Sequence, residues 1–179
     1  IREIDYEKGY AVCFEDILSN LDLLTPQNEH IGLALRTQVK MYPEIALREL
    51  IANAMIHQDF TINGTGILIE LFSNRIEISN PGEPLISIDR FIDHNPISRN
   101  EKLASIMRRL KVCEEKGSGI DKVIQSVELF QLPAPKFLEY DNGTKVILYS
   151  HKKLSEMEKE DKIRACYQHA CLQYVLGDK

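Results

Sequence analysis

The sequence lacks several features that would assign it to a class at once. It carries no excess of positive charge: 22 Lys and Arg stand against 27 Asp and Glu, a net charge of −5. A segment that gripped nucleic acid through its phosphates would need the opposite balance, so any DNA contact is expected from neighbouring domains rather than from this one. Cysteine is scarce. Its four positions, 13, 113, 166 and 171, do not form the two close pairs of a structural zinc site. At 179 residues the chain has no need of disulfides to hold a core, and a reducing cytoplasmic setting is the expectation. The stretch "CYQHAC" comes nearest to a metal cluster. In a helix Cys166 and His169 would share a face and Cys171 would lie well round the axis, so an ordinary half-buried helix is expected there. There is no apolar run of about 18 residues, no signal-peptide pattern, no internal repeat and no low-complexity segment. The chain opens at Ile1 and closes within a helical pattern, as a piece excised from a longer protein would.

What is present is a hydrophobic content of 44%, ample for one core, in a length that suits one domain and an appendage. Residues 14–24 place Phe14, Ile17, Leu18, Leu21 and Leu24 at helical spacing, ended by Thr25-Pro26. "IGLALRTQVKMY" reads as a strand or strand pair, and Pro43 then opens a helix running to about Gln58. "ILIELF" and "RIEIS" flank Ser73-Asn74 and form a hairpin, and "LPAPKFLEY" and "TKVILYS" form a second around Asp141-Asn142-Gly143. Between the hairpins, residues 86–98 read as loop with little to hold them, followed by helices in "NEKLASIMRRLKV" and "IDKVIQSVELF". A last helix, from about Leu154, leads out of the domain. The expected fold is α+β: a two-layer sandwich with helices on one face of a mixed, mostly antiparallel sheet.

The most informative stretch is "LRELIANAMIHQDF", residues 47–60. At about 100° per residue, Leu47, Leu50, Ile51, Ala54 and Met55 cluster on one side. Glu49, Asn53 and His57 recur every fourth residue and make a polar stripe, flanked by Ala46, Ala52 and Ile56. A helix apolar on nearly all sides is mostly buried, so the stripe faces a cavity. Asn53 has two readings. Either its amide bonds a backbone carbonyl and Glu49 is a surface acid, or its oxygen ligates a hard cation such as Mg²⁺ while Glu49, one turn away, holds or deprotonates a water. "ISNPGEP" ends a strand at Asn80 with Gly82 beyond it, open to close approach by a flat ligand. "EKGSGIDKV" sets Gly117 and Gly119 before a helix N-terminus, where bare N–H groups favour phosphate.

The order of these pieces is what counts: acid-x-x-x-Asn on a helix, a strand ending in a polar-x-Gly turn, a loose lid, then Gly-x-Gly into a helix. It resembles the ATP-binding fold shared by DNA gyrase, histidine kinases and MutL, the GHKL superfamily or Bergerat fold. Gly143-Thr144 stand where those proteins open their last strand with Gly-Thr. A closer similarity is to the subgroup reading "REL-x-x-N-A-x-x-H-x-D-[YF]", "R-I-E-I-x-N-P-G" and "E-x-x-G-S-G-I", here Arg48–Phe60, Arg75–Gly82 and Glu114–Ile120. That subgroup is the ATP-binding domain of transcriptional regulators described as related to an ATP-dependent DNA helicase. It accompanies a Schlafen-like/AlbA DNA-binding domain before it and a winged helix after it. The resemblance implies residues 1–150 as the ATP-binding domain and 151–179 as a helix leading toward a further domain. It implies Glu49 as general base and Asn53 as Mg²⁺ ligand. Asn80, Gly82 and Thr144 would stand at the adenine, Gly117, Ser118 and Gly119 at the phosphates, and residues 85–116 as lid. His57 continues the stripe toward phosphate or lid, with structural packing the alternative. Helicase activity itself is not expected, because there is no Walker A lysine motif and no room for helicase lobes.

Three departures bear on activity. Asn80 replaces an Asp and can still accept a hydrogen bond, without charge. Pro84 replaces a second Gly and stiffens the turn, and Asp121 puts an acid in the first turn after the glycines, where it either serves as ordinary dipole compensation or repels a phosphate ligand. The expected function is an ATP/Mg²⁺-binding switch for flanking DNA-binding domains, with nucleotide ordering the lid. The alternatives are an active ATPase using Glu49, or a degenerate fold that serves as a homodimer scaffold.

Overall fold

In the computed structural model the described residues are 3–31, 36–95, 97–113 and 119–177, with only the backbone described for 27–31 and 36–39. The first helix, α1 (Tyr10–Leu24), buries Cys13, Phe14, Ile17 and Leu21, the stripe anticipated from their spacing. Thr25 ends it, its hydroxyl donating to the Leu21 carbonyl at 2.8 Å. A small antiparallel hairpin follows, β1 (Gln27–Ile31) with β2 (Arg36–Lys40). Pro43 is the N-cap of α2 (Glu44–His57), just outside the helix rather than within its first turn.

α2 is the centre of the molecule. Nine of its residues are buried, on all sides of its axis. It packs against α1, α3 (Glu101–Arg109), α4 (Gly119–Leu129) and the second strand of the main sheet. A helix apolar all round must be enclosed, because an exposed side would leave a Leu- or Ile-sized surface in water at roughly 25 cal/mol per Å².

The main sheet has four strands in the order β3-β4-β6-β5: β3 (Leu68–Leu71), β4 (Arg75–Pro81), β5 (Lys136–Tyr140) and β6 (Gly143–Tyr149). Among the described residues every pairing is antiparallel. Both hairpins form where the turn residues indicated, and Asp141 and Asn142 take the positive φ that such a turn demands. The register puts Ile69, Ile78, Val146 and Phe137 in one row across the inner face, with Ile76 and Leu148 in the next. These side chains meet α2 in a single core. The outer face is polar: Glu77 accepts from Arg75 and from Lys145, both at 2.7 Å. The architecture is thus an α+β sandwich with its helices on one face, as expected.

Residues 83–95 and 97–100 are better held than their composition suggests. A 3-10 turn (Ile88–Arg90) leads to Ile92, which is buried with Ile124 and Leu172. The Phe91 ring stands edge-on to Phe137 at 5.3 Å. Arg99 donates to the carbonyls of His57 (3.1 Å) and Glu83 (2.6 Å). Asn100 donates to those of Ile56 (2.8 Å) and Gln58 (2.7 Å). Carbonyls at the end of a helix have no partner within it. Here two consecutive residues of the lid segment supply that partner.

The last helix, α5 (Lys159–Leu176), packs against α4. Gln168 and Arg164 donate to the carbonyls of Pro135 and Ala134, and the Tyr167 hydroxyl to that of Asp89. It lies along the domain over this length instead of standing clear of it. Among the described residues no helix is long and apolar enough to cross a membrane, and no group of three His, Cys, Asp or Glu could hold an ion alone. Cys166 and Cys171 are free thiols.

Candidate nucleotide site

The polar stripe of α2 faces a cavity of about 210 Å³. Glu49, Asn53 and His57 form one wall, and Ile78, Asn80, Thr144 and Val146 of the sheet form the floor. The chain after β4 supplies the opposite rim through Pro84, Leu85, Ile86 and Phe91, and the start of α4 closes one end with Gly119 and Ile120. The volume far exceeds the roughly 10–15 Å³ that a single water needs.

None of the three stripe residues spends its side chain on the protein. Among the described residues, Asn53 makes no hydrogen bond, which removes the reading in which it serves a backbone carbonyl. His57 makes none through its ring, and Glu49 none through its carboxylate, although Glu49 is only 7% exposed. Burial raises the Glu49 carboxyl above its ordinary range, and the charges of Lys122 and Arg48 offset part of that. Burial lowers the His57 imidazole, with the Arg99 guanidinium adding in the same direction, so His57 is held neutral. Unpaired polar groups are ordinarily costly to bury. Three on one wall mark a surface built for something other than the core.

The floor is set by strand register. Asn80 and Thr144 are directly opposite one another on β4 and β6, so both project to the same side. Thr144 Oγ1 donates to the Gly82 carbonyl at 2.8 Å, which fixes its rotamer. Asn80, 6% exposed, reaches only the Pro81 carbonyl, through Nδ2 at a long 3.4 Å. That leaves its Oδ1 as an acceptor beside the apolar surfaces of Ile78 and Val146.

Two of the glycines have physical reasons that spacing did not show. Gly119 lies against Glu49: a Cβ there would stand 2.7 Å from Oε2 and 3.8 Å from Nδ2 of Asn53. The first residue of α4 is therefore glycine so that the helix start can reach the acid. Gly82 has φ +121°, and a Cβ on it would come within 3.1 Å of the His57 carbonyl and the Asp59 amide. Its freedom serves the packing of the β4 end against the end of α2, where Asp59 N donates to the Pro81 carbonyl at 2.7 Å. Gly82 does not itself line the cavity. Gly117 and Ser118 lie outside the described residues. Of the departures, Pro84 is at the rim, while Asp121 is half-buried off the cavity, its carboxyl raised by burial.

The structure adds residues that sequence reasoning passed over. Arg99 and Asn100 tie the rim to α2, Arg108 of α3 lines the cavity, and Cys113 lies near Glu49, whose charge, after burial, pushes the thiol up. "SRN" before a helix was the available signal for the first two, although nothing local says which carbonyls they serve.

A cavity between a central helix and an antiparallel sheet is consistent with an ATPase-like sandwich. Residues 64–148 match the family described as "Putative ATP-dependent DNA helicase recG C-terminal". The match makes that stretch part of an ATPase-like, helicase-related domain. It takes in Asn80, Gly119 and Thr144 but begins after α2. In fold the chain is similar to the DIP2311 protein from Corynebacterium diphtheriae, with a TM-score of 0.74 and 20% identity over 98% of this chain. The chain spans 38% of that protein's length. No functionally curated protein matches it.

Proposed function

We propose that the chain is an ATP- and Mg²⁺-binding regulatory module of a DNA-binding transcriptional regulator, with nucleotide biasing the segment 85–116. DNA would be contacted through flanking domains. The observation that carries the reading is the juxtaposition of an unpaired Glu49-Asn53-His57 wall with the Asn80–Thr144 floor in one cavity.

The division of labour follows from chemistry. Asn80 Oδ1 is an acceptor next to flat apolar surface, which suits the exocyclic amine of adenine. Asn53 offers an amide oxygen with no competing partner, and Mg²⁺ takes one or two protein oxygens with phosphates and water completing its shell. The ion, when bound, would neutralise phosphate charge. The α4 start at Gly119 presents helix N–H groups beside Asn53, a favourable place for phosphate. Rim residues such as Pro84 and Phe91 change their surroundings when the cavity fills, and Arg99 and Asn100 connect that rim rigidly to α2. A ligand that favours one arrangement of the rim shifts its population.

A second reading, an active ATPase, is favoured by Glu49. A buried carboxyl raised toward neutral pH is a better general base than an exposed one. Calorimetry and thermal shift with Mg-ATP on the parent chain test the first reading, which predicts saturable heat and stabilisation. Neither signal means that both readings fall, leaving a scaffold role. If ATP binds, phosphate release by the parent compared with Glu49→Ala separates enzyme from switch: equal rates would remove Glu49 as base.

A further inference from the structure

Part of the cavity lining is an edge-to-face aromatic pair, Phe91 of the rim and Phe137 of β5, with ring centroids 5.3 Å apart. α5 holds both chain segments that carry the pair. The Tyr167 hydroxyl donates to the Asp89 carbonyl at 2.8 Å, two residues before Phe91. Leu172 shares a buried cluster with Ile92, the residue after Phe91, and with Ile124 of α4. On the Phe137 side, Arg164 Nε donates to the Ala134 carbonyl at 3.1 Å and Gln168 Nε2 to the Pro135 carbonyl at 2.8 Å. Residues 164, 167, 168 and 172 recur at helical spacing, so one face of α5 grips the backbone beside each ring.

A helix that served only to cover the core would bury an apolar stripe along its length. α5 has 18 residues and buries two, Gln168 and Leu172. Gln168 Oε1 is buried with no partner among the described residues, which lowers the net gain from docking. The contact of His169 with Glu128 of α4 is exposed and adds little. The attachment is therefore light, and its anchors fall on the residues flanking Phe91 and Phe137. Ile120 of α4 joins the two regions again, since it lines the cavity and packs against the cluster of Ile92, Ile124 and Leu172.

We propose that α5 is a releasable clasp on the aromatic wall of the cavity: docked, it holds Phe91 against Phe137, and a nucleotide bound against that wall holds α5 down in return. The inference rests on the nucleotide reading and names its output, the docking of the last helix. A ligand that meets the complete wall only in the docked arrangement favours docking by its difference in affinity for the two arrangements. The coupling is reciprocal, so loosening α5 weakens the ligand in proportion to the fraction of chains left docked. No residue of α5 lines the cavity, so an uncharged substitution in it reaches the ligand only through the elements α5 holds.

The test combines calorimetry with Mg-ATP and amide hydrogen exchange on the parent, Leu172→Ala and Tyr167→Phe. Mg-ATP should slow exchange of the parent in α5 as well as in residues 85–95, with β4 and β6 as internal reference. Leu172→Ala should weaken ATP about tenfold, as expected if about one chain in ten stays docked, and Tyr167→Phe about twofold in the same direction. If Leu172→Ala also speeds exchange in β4 and β6, it has loosened the whole fold, and Tyr167→Phe, which removes only an exposed hydroxyl, decides. A parent that binds ATP with no change in α5 exchange, or variants that bind it as tightly as the parent, would overturn the clasp and leave the nucleotide reading standing. A parent that binds no ATP overturns the nucleotide reading. The clasp is then read without ligand: faster exchange of residues 85–95 in Tyr167→Phe keeps it, and unchanged exchange removes it.

Discussion

Replacing Asn53 with alanine should make the ligand-free protein more stable and the liganded one weaker, and the sign of the first effect is the decisive quantity. Asn53 is half-buried in the middle of α2 and makes no hydrogen bond among the described residues. Truncation therefore breaks no bond in the folded chain. It gains helix propensity, where alanine exceeds asparagine by about 0.5–0.7 kcal/mol. It also removes an amide held partly out of water without a protein partner, a cost of about 1–3 kcal/mol if complete and a fraction of that at half burial. No new void is enclosed, because the side chain already borders the 210 Å³ cavity. The sum is a gain of about 0.5–1.5 kcal/mol, or roughly 1–6 °C in Tm for a chain of this size.

A thermal melt in the absence of nucleotide measures this directly, followed by calorimetry with Mg-ATP on the same two proteins. If Asn53 instead supported the backbone, its loss would destabilise by about 1–3 kcal/mol through the orphaned partner. A fall of several degrees in ligand-free Tm for Asn53→Ala would thus refute the reading of the stripe as unpaired. The expected outcome is a higher Tm together with an ATP affinity reduced by about tenfold or more.

Gly119→Ala should change stability by less than about 1 kcal/mol, since helix propensity offsets the contact. It should nonetheless push Glu49 Oε2 away by about 0.7 Å to reach an ordinary 3.4 Å separation. Under the ATPase reading, phosphate release then drops by roughly 10–100-fold, and unchanged turnover would show that Glu49 position is immaterial. Asn100→Ala leaves the Ile56 and Gln58 carbonyls without their donor and should cost about 1–3 kcal/mol in urea unfolding; a loss below about 0.5 kcal/mol means water replaces the amide freely. Glu49→Gln tests linkage. Because burial raises the Glu49 carboxyl in the folded state, that state binds more protons than the unfolded chain, and Glu49 lowers stability as pH rises from its ordinary 4.5 through the raised value. The variant should be more stable than the parent at neutral pH, with the advantage shrinking as pH falls toward 4.5. An advantage that does not vary across an unfolding series at stepped pH contradicts the sign of the shift.

The parts of the fold written in local signals are legible in the amino-acid sequence alone. Ser73-Asn74 and Asp141-Asn142-Gly143 mark both hairpins because two-residue connections leave the chain little choice of turn. The Glu49-Asn53-His57 wall follows from a period of four on an otherwise apolar helix, and the structure brings all three to one cavity. The pairing of Asn80 with Thr144 is not derivable in that way, since it depends on the register of strands far apart in sequence. Arg99 and Asn100 are invisible for a related reason. Their partners are backbone carbonyls 42 to 44 positions away, and a carbonyl carries no side-chain signature. Gly82, expected to open the turn to a flat ligand, instead makes room for parts of the protein: its absent side chain leaves space for the His57 carbonyl and the Asp59 amide.

The placement of bonded and unbonded groups separates the molecule into a fixed part and a waiting part. The end of α2 is bound on all sides, by Arg99, by Asn100 and by the Asp59–Pro81 contact. One and two turns earlier the same helix holds side chains that bond nothing among the described residues. A core alone would have replaced Asn53 and Glu49 with leucine or alanine and been more stable for it. Rigid support beneath unpaired groups is the arrangement that recovers its cost on binding, because the ligand finds partners already in position and immobilises little.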